Sequence, residues 1–206
     1  RDTTEQEERE KLRREFTANV SHELKTPLTS ISGYAEIIAN GLARPEDVQR
    51  FAGSIYDEVQ RLISMINDII KLSRLDEEEG LPQRQQIDLA ELTTTVCERL
   101  QSEADKRDVK IVLQLVPCSI RGVGQVLEEM VYNLVDNAIK YNREHGQVTV
   151  TLVEQGSEAV LTVSDTGIGI PESEQERVFE RFYRVDKSHS DAVPGTGLGL
   201  SIVKHG

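Results

Sequence analysis

Residues 16–28 read FTANVSHELKTPL. In this stretch and its neighbours apolar residues fall at Leu12, Phe16, Val20, Leu24, Leu28, Ile31, Ala35, Ile38 and Leu42, in steps of three and four. That rhythm is helical. The stripe is narrow, the seam of a helix that shares its apolar edge with others. It predicts one long helix over 1–41, opening on RDTTEQEEREKLRRE, which suits a continuing coiled coil or a solvated lead-in. Inside it stands a His-Glu pair, and a Thr-Pro begins four residues after the His.

With Leu12 at 0°, the stripe lies between about 0° and 160°, and His22 falls at about 280°, on the opposite side. Thr26 lies at about 320°, one turn along the same face, and Glu23 at about 20°, on the shoulder of the stripe. The imidazole therefore projects into solvent, with a carboxylate beside it and a hydroxyl one turn on. An unperturbed imidazole is largely neutral at neutral pH and can act as a nucleophile toward a phosphoryl donor. Taken alone, the pattern also suits an ordinary surface histidine in a charged helix. Pro27 removes one backbone hydrogen bond and favours a bend beside this face.

Gly41 and Pro45 punctuate the chain, and Pro45 with Glu46 and Asp47 suits the first turn of a new helix. Its stripe is Val48, Phe51, Ile55, Val59, Leu62, Ile66 and Ile69, and it runs to about Leu75. Two long helices with a short connection make an antiparallel hairpin. Two narrow stripes have no third layer to cover them, so the hairpin is expected to pair with a second copy as a dimeric four-helix bundle.

The stretch DEEEGLPQRQQ (76–86) is polar, with Gly and Pro, and reads as a linker. The expected division is a hairpin over 1–75, a linker over 76–87 and a second domain over 88–206. Asp88 with Glu91 resembles a capping box opening a helix. VKIVLQLV (109–116) alternates like a strand, a helix follows through Val126, Met130, Leu134 and Ile139, and residues 147–165 read as a hairpin turning around Gln155-Gly156. The second domain is expected to be mixed α+β, with helices on one face of a sheet.

At 206 residues the chain can bury one good core or two small ones. A net charge of −12 disfavours nucleic acid as a partner. Trp is absent, which removes the best stacking platform for bases. No apolar run approaches the roughly 18 residues of a membrane span, and no signal peptide opens the sequence. Cys97 and Cys118 lack metal-ligand spacing and read as thiols of a reducing compartment.

Three further stretches carry chemistry. In NLVDNAIKYN (133–142), Glu129, Asn133 and Asn137 share one helical stripe, followed by Lys140 and Tyr141. Amide oxygens are hard ligands suited to Mg²⁺, and Lys suits phosphate; a plain polar helix face is the other reading. In SDTGIGIP (164–171), Gly167 and Gly169 let backbone approach a ligand, and Asp165 can accept a hydrogen bond from an exocyclic amine. Many turns share such a pattern. In GTGLGLSIV (195–203), Gly195, Gly197 and Gly199 lead into an apolar helix and can cradle phosphates on backbone N–H groups. This is neither a Walker loop nor a Rossmann turn.

Taken together, the chain resembles the HisKA-type sensor histidine kinases of two-component signalling, over nearly its whole length. FTANVSHELKTPL resembles the H box, NLVDNAIKYN the N box, DTGIGI and GTGLGL the glycine boxes, and VFERFYRVD (178–186) the F box, all in family order. The resemblance implies a helical hairpin followed by an α/β-sandwich ATP-binding domain of the histidine kinase/Hsp90-like type. It implies His22 as phosphoacceptor, Glu23 as its acid/base partner, and Thr26 as the residue that positions water in a reverse, phosphatase reaction. It implies that Asn137 holds Mg²⁺ with support from Asn133, and that Lys140 and Tyr141 contact phosphates and nucleotide. Asp165 would read the adenine amine, and Arg184 would reach the γ-phosphate. Gly195, Gly197 and Gly199 would line a hinged ATP lid, mobile over about Asp186–Pro194 and anchored by Phe179 and Phe182.

The implied partners are a second copy through the hairpin and the receiver domain of a response regulator. The implied setting is the cytoplasmic part of a receptor whose sensing domain and membrane anchor lie upstream, with Pro27 bending the helix so that the catalytic domain can dock. The family's ATP domain usually continues past the last glycine box, so the C-terminal end reads as truncated at Gly206. Two other classes are weighed against this one: a non-kinase ATPase of the same nucleotide-binding fold, and a non-catalytic dimerisation and docking module.

Overall fold

A computed structural model describes residues 2–76, 83–185 and 195–205, with side chains from Arg14 onward apart from 74–76. The side chain of Leu12, linker residues 77–82 and the expected lid, 186–194, lie outside the described residues. The chain forms two compact units, Arg1–Ile69 and Ile70–Gly206.

The first unit is built from helices α1 (Asp2–Ala39) and α2 (Pro45–Asp76), whose last turns belong to the second unit. Gly41 ends α1 because a left-handed residue is needed there, at φ +66°. That conformation returns the Leu42 N–H to the Ile37 carbonyl (3.0 Å) and the Gly41 N–H to the Ile38 carbonyl (3.1 Å). Pro45 opens α2 at a position where its missing N–H loses no bond, and Glu46 and Asp47 meet the positive end of the helix dipole. Tyr34, near the end of α1, stacks on Phe51, near the start of α2, with ring centroids 5.4 Å apart. The helices thus run as an antiparallel hairpin. Among the described residues of this unit only Pro27 and Met65 are buried, and most of the two stripes is half-buried or exposed.

The second unit contains β1 (Gln85–Asp88), α3 (Leu89–Lys106), β2 (Lys110–Leu115), β3 (Ser119–Gly122), α4 (Gly124–Lys140), β4 (Gln147–Gln155), β5 (Glu158–Asp165) and α5 (Gly199–His205). Two single-turn 3₁₀ helices, Glu172–Glu174 and Arg177–Phe179, follow β5. Asp88 caps α3, its carboxylate accepting from the Glu91 N–H at 3.0 Å. One sheet has the order β2-β4-β5, with β2 parallel to β4 and β4 antiparallel to β5. Parallel neighbours need a crossover, and α4 lies in it. Gln155 pairs with Glu158 across a two-residue loop, and Gly156, at φ +66°, supplies the left-handed backbone such a hairpin demands.

The second sheet was not anticipated. β1 pairs antiparallel with β3, four residues each, and β1 takes its first three residues from the stretch read as linker. Its one inward residue, Ile87, gives no alternation to read.

The core lies where α3 and α4 cover one face of the three-stranded sheet. Val96, Cys97, Leu100 and Ala104 of α3 and Val131, Val135, Ala138 and Ile139 of α4 pack on Val148 and Val150 of β4. Burial pushes the Cys97 thiol up to about 11, so it stays protonated and unreactive. Helix α5 packs on α4, with Ser201 and Ile202 in it and Leu198 just before it fully buried.

Candidate active site

With Val135 of α4 turned to the core, Asn133 and Asn137 lie about 160–200° round the helix, on its far side. There α4 meets α5. The Asn133 amide donates to the Glu129 carbonyl at 2.8 Å, and a Cβ at Gly199 would sit 2.7 Å from Asn133 Oδ1. Gly199 therefore lets α5 close on this side chain. Asn137 is half-buried, and its side chain makes no hydrogen bond among the described residues, which leaves its amide oxygen available. Lys140 Nζ bonds the buried Asp136 carboxylate at 2.6 Å.

No cluster of three or more His, Cys, Asp or Glu able to hold a metal occurs among the described residues. A hard cation here would take the Asn137 oxygen together with oxygens of its ligand and water. That is how Mg²⁺ is commonly held on nucleotides.

At the end of β5, Asp165 is exposed. Its Oδ1 accepts from the Gly167 N–H at 2.8 Å. The next N–H, of Ile168, donates to the Tyr141 carbonyl at 3.1 Å. A Cβ at Gly167 would stand 2.3 Å from that carbonyl and 2.7 Å from Asp165 Oδ1, so only glycine allows this approach. The turn after β5 is thus seated on the last turn of α4, and Asp165 is aimed by it. Gly169 is left-handed too, at φ +73°, with open space around it.

The third segment closes on the same region. Phe182 is buried and adopts φ +65°, which is uncommon for a residue with a side chain. Its N–H donates to the Gly197 carbonyl at 2.9 Å. Gly197, at φ +72°, leaves no room for a Cβ, which would lie 2.8 Å from the Phe182 carbonyl carbon. Arg184 donates to the Gly195 carbonyl at 3.1 Å, and a Cβ on Gly195 would come within 3.9 Å of the Tyr141 hydroxyl. The structure thus brings together Asn133, Tyr141, Asp165, Arg184 and all the glycines of the two loops except Gly169. Phe179, expected beside Phe182 as an apolar anchor, is 36% exposed.

His22, Glu23 and Thr26 lie in the first unit. The imidazole is 81% exposed, and Glu23 Oε1 is 4.0 Å from its Nδ1. Thr26 Oγ1 reaches back to the His22 carbonyl at 3.5 Å. Pro27, the next residue, is buried and brings no N–H for the Glu23 carbonyl.

Two residues carry structure that the sequence reading left without a role. Asn142 and Thr166 are hydrogen-bonded to each other at 3.0 Å and tie α4 to β5. The available signal was an Asn just past a helix end with a glycine four residues on.

Residues 12–78 match the family described as His Kinase A (phospho-acceptor) domain. Residues 122–205 match the histidine kinase-, DNA gyrase B-, and HSP90-like ATPases. The chain is 41% identical over 206 residues to the sensor-like histidine kinase SenX3 of Mycolicibacterium smegmatis, covering 99% of this chain and 53% of that protein. It spans about half the length of the SenX3 relatives it matches (53% and 48%). Among solved structures, it is similar to the mycobacterial sensor histidine kinase MprB (34% identity, 59% of this chain and 76% of that chain, TM-score 0.53). It is also similar to the histidine kinase ThkA, solved in complex with the response regulator protein TrrA (25% identity, 86% and 53%, TM-score 0.72).

Proposed function

The chain belongs to the HisKA-type sensor histidine kinases, and from that premise we propose that it is the phosphoryl-transfer core of such a kinase, with His22 as phosphoacceptor. The observation that carries this is the imidazole itself, 81% exposed, turned from the apolar seam, with a carboxylate at its Nδ1 side. Glu23 favours the tautomer protonated on Nδ1, which leaves the Nε2 lone pair outward. Nε2 attacks the γ-phosphorus of ATP; an N–P bond forms as the P–O bond to ADP breaks, and Glu23 holds or takes the Nδ1 proton. The phosphoryl group then passes to an Asp of a receiver domain, the class of partner seen with ThkA. Thr26, one turn along, orients water for the reverse, phosphatase reaction.

In the second unit, Asp165 Oδ2 accepts from the adenine amine. Lys140, Tyr141 and the backbone of Gly195, Gly197 and Gly199 contact phosphates and nucleotide, with Gly167 and Gly169 shaping the turn beside the base. Arg184 meets charge on the γ-phosphate. Asn137 would hold Mg²⁺, with Asn133 supporting it, and a cation bound there would supply charge neutralisation at the phosphates. Positioning and charge stabilisation supply most of the rate in such transfers.

The active form is a homodimer through the hairpin. Tyr56, Ile63, Ile66 and Ile70 make an exposed apolar flank on α2, and Leu28 is exposed on α1. No helix among the described residues is long and apolar enough to cross a membrane. By its relatives' names as sensors, we place this core on the cytoplasmic side of a longer, membrane-anchored protein.

Incubation with γ-labelled ATP and Mg²⁺ tests the assignment. Wild type should gain an acid-labile, base-stable label, and His22→Gln should gain none while binding nucleotide as before. Label that survives in His22→Gln would contradict it.

A further inference from the structure

We infer that Asn142 and Thr166 are a positioning pair that sets the adenine-reading carboxylate of Asp165 and so determines the preference for adenine; this rests on the nucleotide site proposed above. Asn142 sits just past α4, and every hydrogen-bonding site on its amide is used. Nδ2 donates to the Ala138 carbonyl (3.0 Å) and the Gln147 carbonyl (3.1 Å). Oδ1 accepts from the Arg143 N–H (2.9 Å) and from Thr166 Oγ1 (3.0 Å). Thr166 Oγ1 in turn accepts from the Gln147 N–H at 2.9 Å.

These partners fix the polarity of the network. Two carbonyls can face only the amide nitrogen, and a backbone N–H at Arg143 can face only its oxygen. The Thr166 hydroxyl oxygen accepts the hydrogen bond of the Gln147 N–H, so its own proton points to Asn142. The space is fitted as closely as the bonds, since a Cβ on Gly146 would stand 2.1 Å from Asn142 Oδ1.

The consequence for the site follows from chain order. Asp165 is the last residue of β5, paired with Val148. Beyond it, two ties hold the chain to the end of α4: Thr166 to Asn142, and the Ile168 N–H to the Tyr141 carbonyl at 3.1 Å. Asp165 stands just ahead of both. Gly167 is unable to shift toward Tyr141, because the two are already in contact. Removing the Thr166 hydroxyl strands the Gln147 N–H and half of the Asn142 oxygen's capacity. The Thr166 N–H keeps its bond to the Gln147 carbonyl (3.1 Å), so the strand end stays paired, and what is lost is the side-chain tie to α4 that sets the angle of Asp165. Binding of the base suffers, while the phosphate contacts supplied by α4 and the 195–199 loop remain.

The test compares ATP with inosine triphosphate, which carries oxygen where adenine has its amine, on the whole chain by equilibrium binding. Thr166→Val should weaken ATP about five- to tenfold, the loss of one to two net hydrogen bonds, and leave inosine triphosphate unchanged. Thr166→Ser should restore the preference, and phosphorylation at saturating ATP should stay within about twofold of wild type. Asn142→Ser, too short to span from Ala138 to Thr166, should lose the preference likewise. An equal loss for both nucleotides, an unchanged preference, or failure of both variants to fold would overturn the inference. Asp165→Asn separates the two levels. If it abolishes the preference while Thr166→Val keeps it, only the positioning pair falls; if it too keeps the preference, the adenine reading falls and the inference with it.

Discussion

Ile66 in the hairpin is 46% exposed, whereas Leu152 in the sheet is 0% exposed, although both are large apolar residues of a regular element. The contrast runs through each unit. In the first unit, burial among the described residues is confined to Pro27 and Met65; in the second, α3 and α4 close with the sheet over Val135, Val148 and Val150, and Leu152 is sealed beside Leu89 and Cys118. A two-helix unit has a seam and no lid for it, so its apolar surface is left for another chain, and the opposite face stays open to carry a reactive group. A closed α+β unit can press backbone against backbone at its rim, which is what a nucleotide site needs. His22 and the glycines at 167 and 197 are the two outcomes of that difference.

The largest effect is expected in the closed core. Leu152→Ala should cost about 2–5 kcal/mol. Urea unfolding should show the same loss at every chain concentration, because the cavity opens inside one chain. A loss that shrinks as the chain is concentrated would mean that this core is shared too.

Gly167→Ala should cost less, about 1–3 kcal/mol for an overpacked contact with the Tyr141 carbonyl. It should displace the turn from α4 and weaken ATP binding, with the mass of the assembly unchanged. Titration with a non-hydrolysable ATP analogue, beside light scattering, reads both quantities. Unchanged affinity would show that the approach of this turn to Tyr141 is not what shapes the site.

Much of this was legible in residues with a strong local cause. The seam of α1 and α2, the stop at Gly41, the cap at Asp88 and the turn at Gly156 each follow from a periodicity or from one backbone demand. His22 could be placed on the open face by angle alone. The β1–β3 pair escaped because β1 has one buried side chain in four residues and β3 has none, too little to make a readable pattern. The glycine positions were visible in the sequence, but what each one avoids was not: the Tyr141 carbonyl, the Phe182 backbone and the Asn133 amide come near only after folding. The left-handed Phe182 is a product of tertiary packing and leaves no trace in spacing, and the Asn142–Thr166 bond leaves only the faint one of an Asn past a helix end with a glycine four residues on.

The most direct test of the contrast is one experiment on one sample series. Sedimentation equilibrium would give the mass of the chain, and ATP binding would be measured at the same concentrations, for wild type and for Ile66→Glu. The account predicts a dimer for wild type, a monomer for Ile66→Glu, and the same ATP affinity per chain in both. A monomeric wild type, or ATP binding that falls together with dissociation, would contradict the claim that the seam is shared while the nucleotide site is complete within one chain.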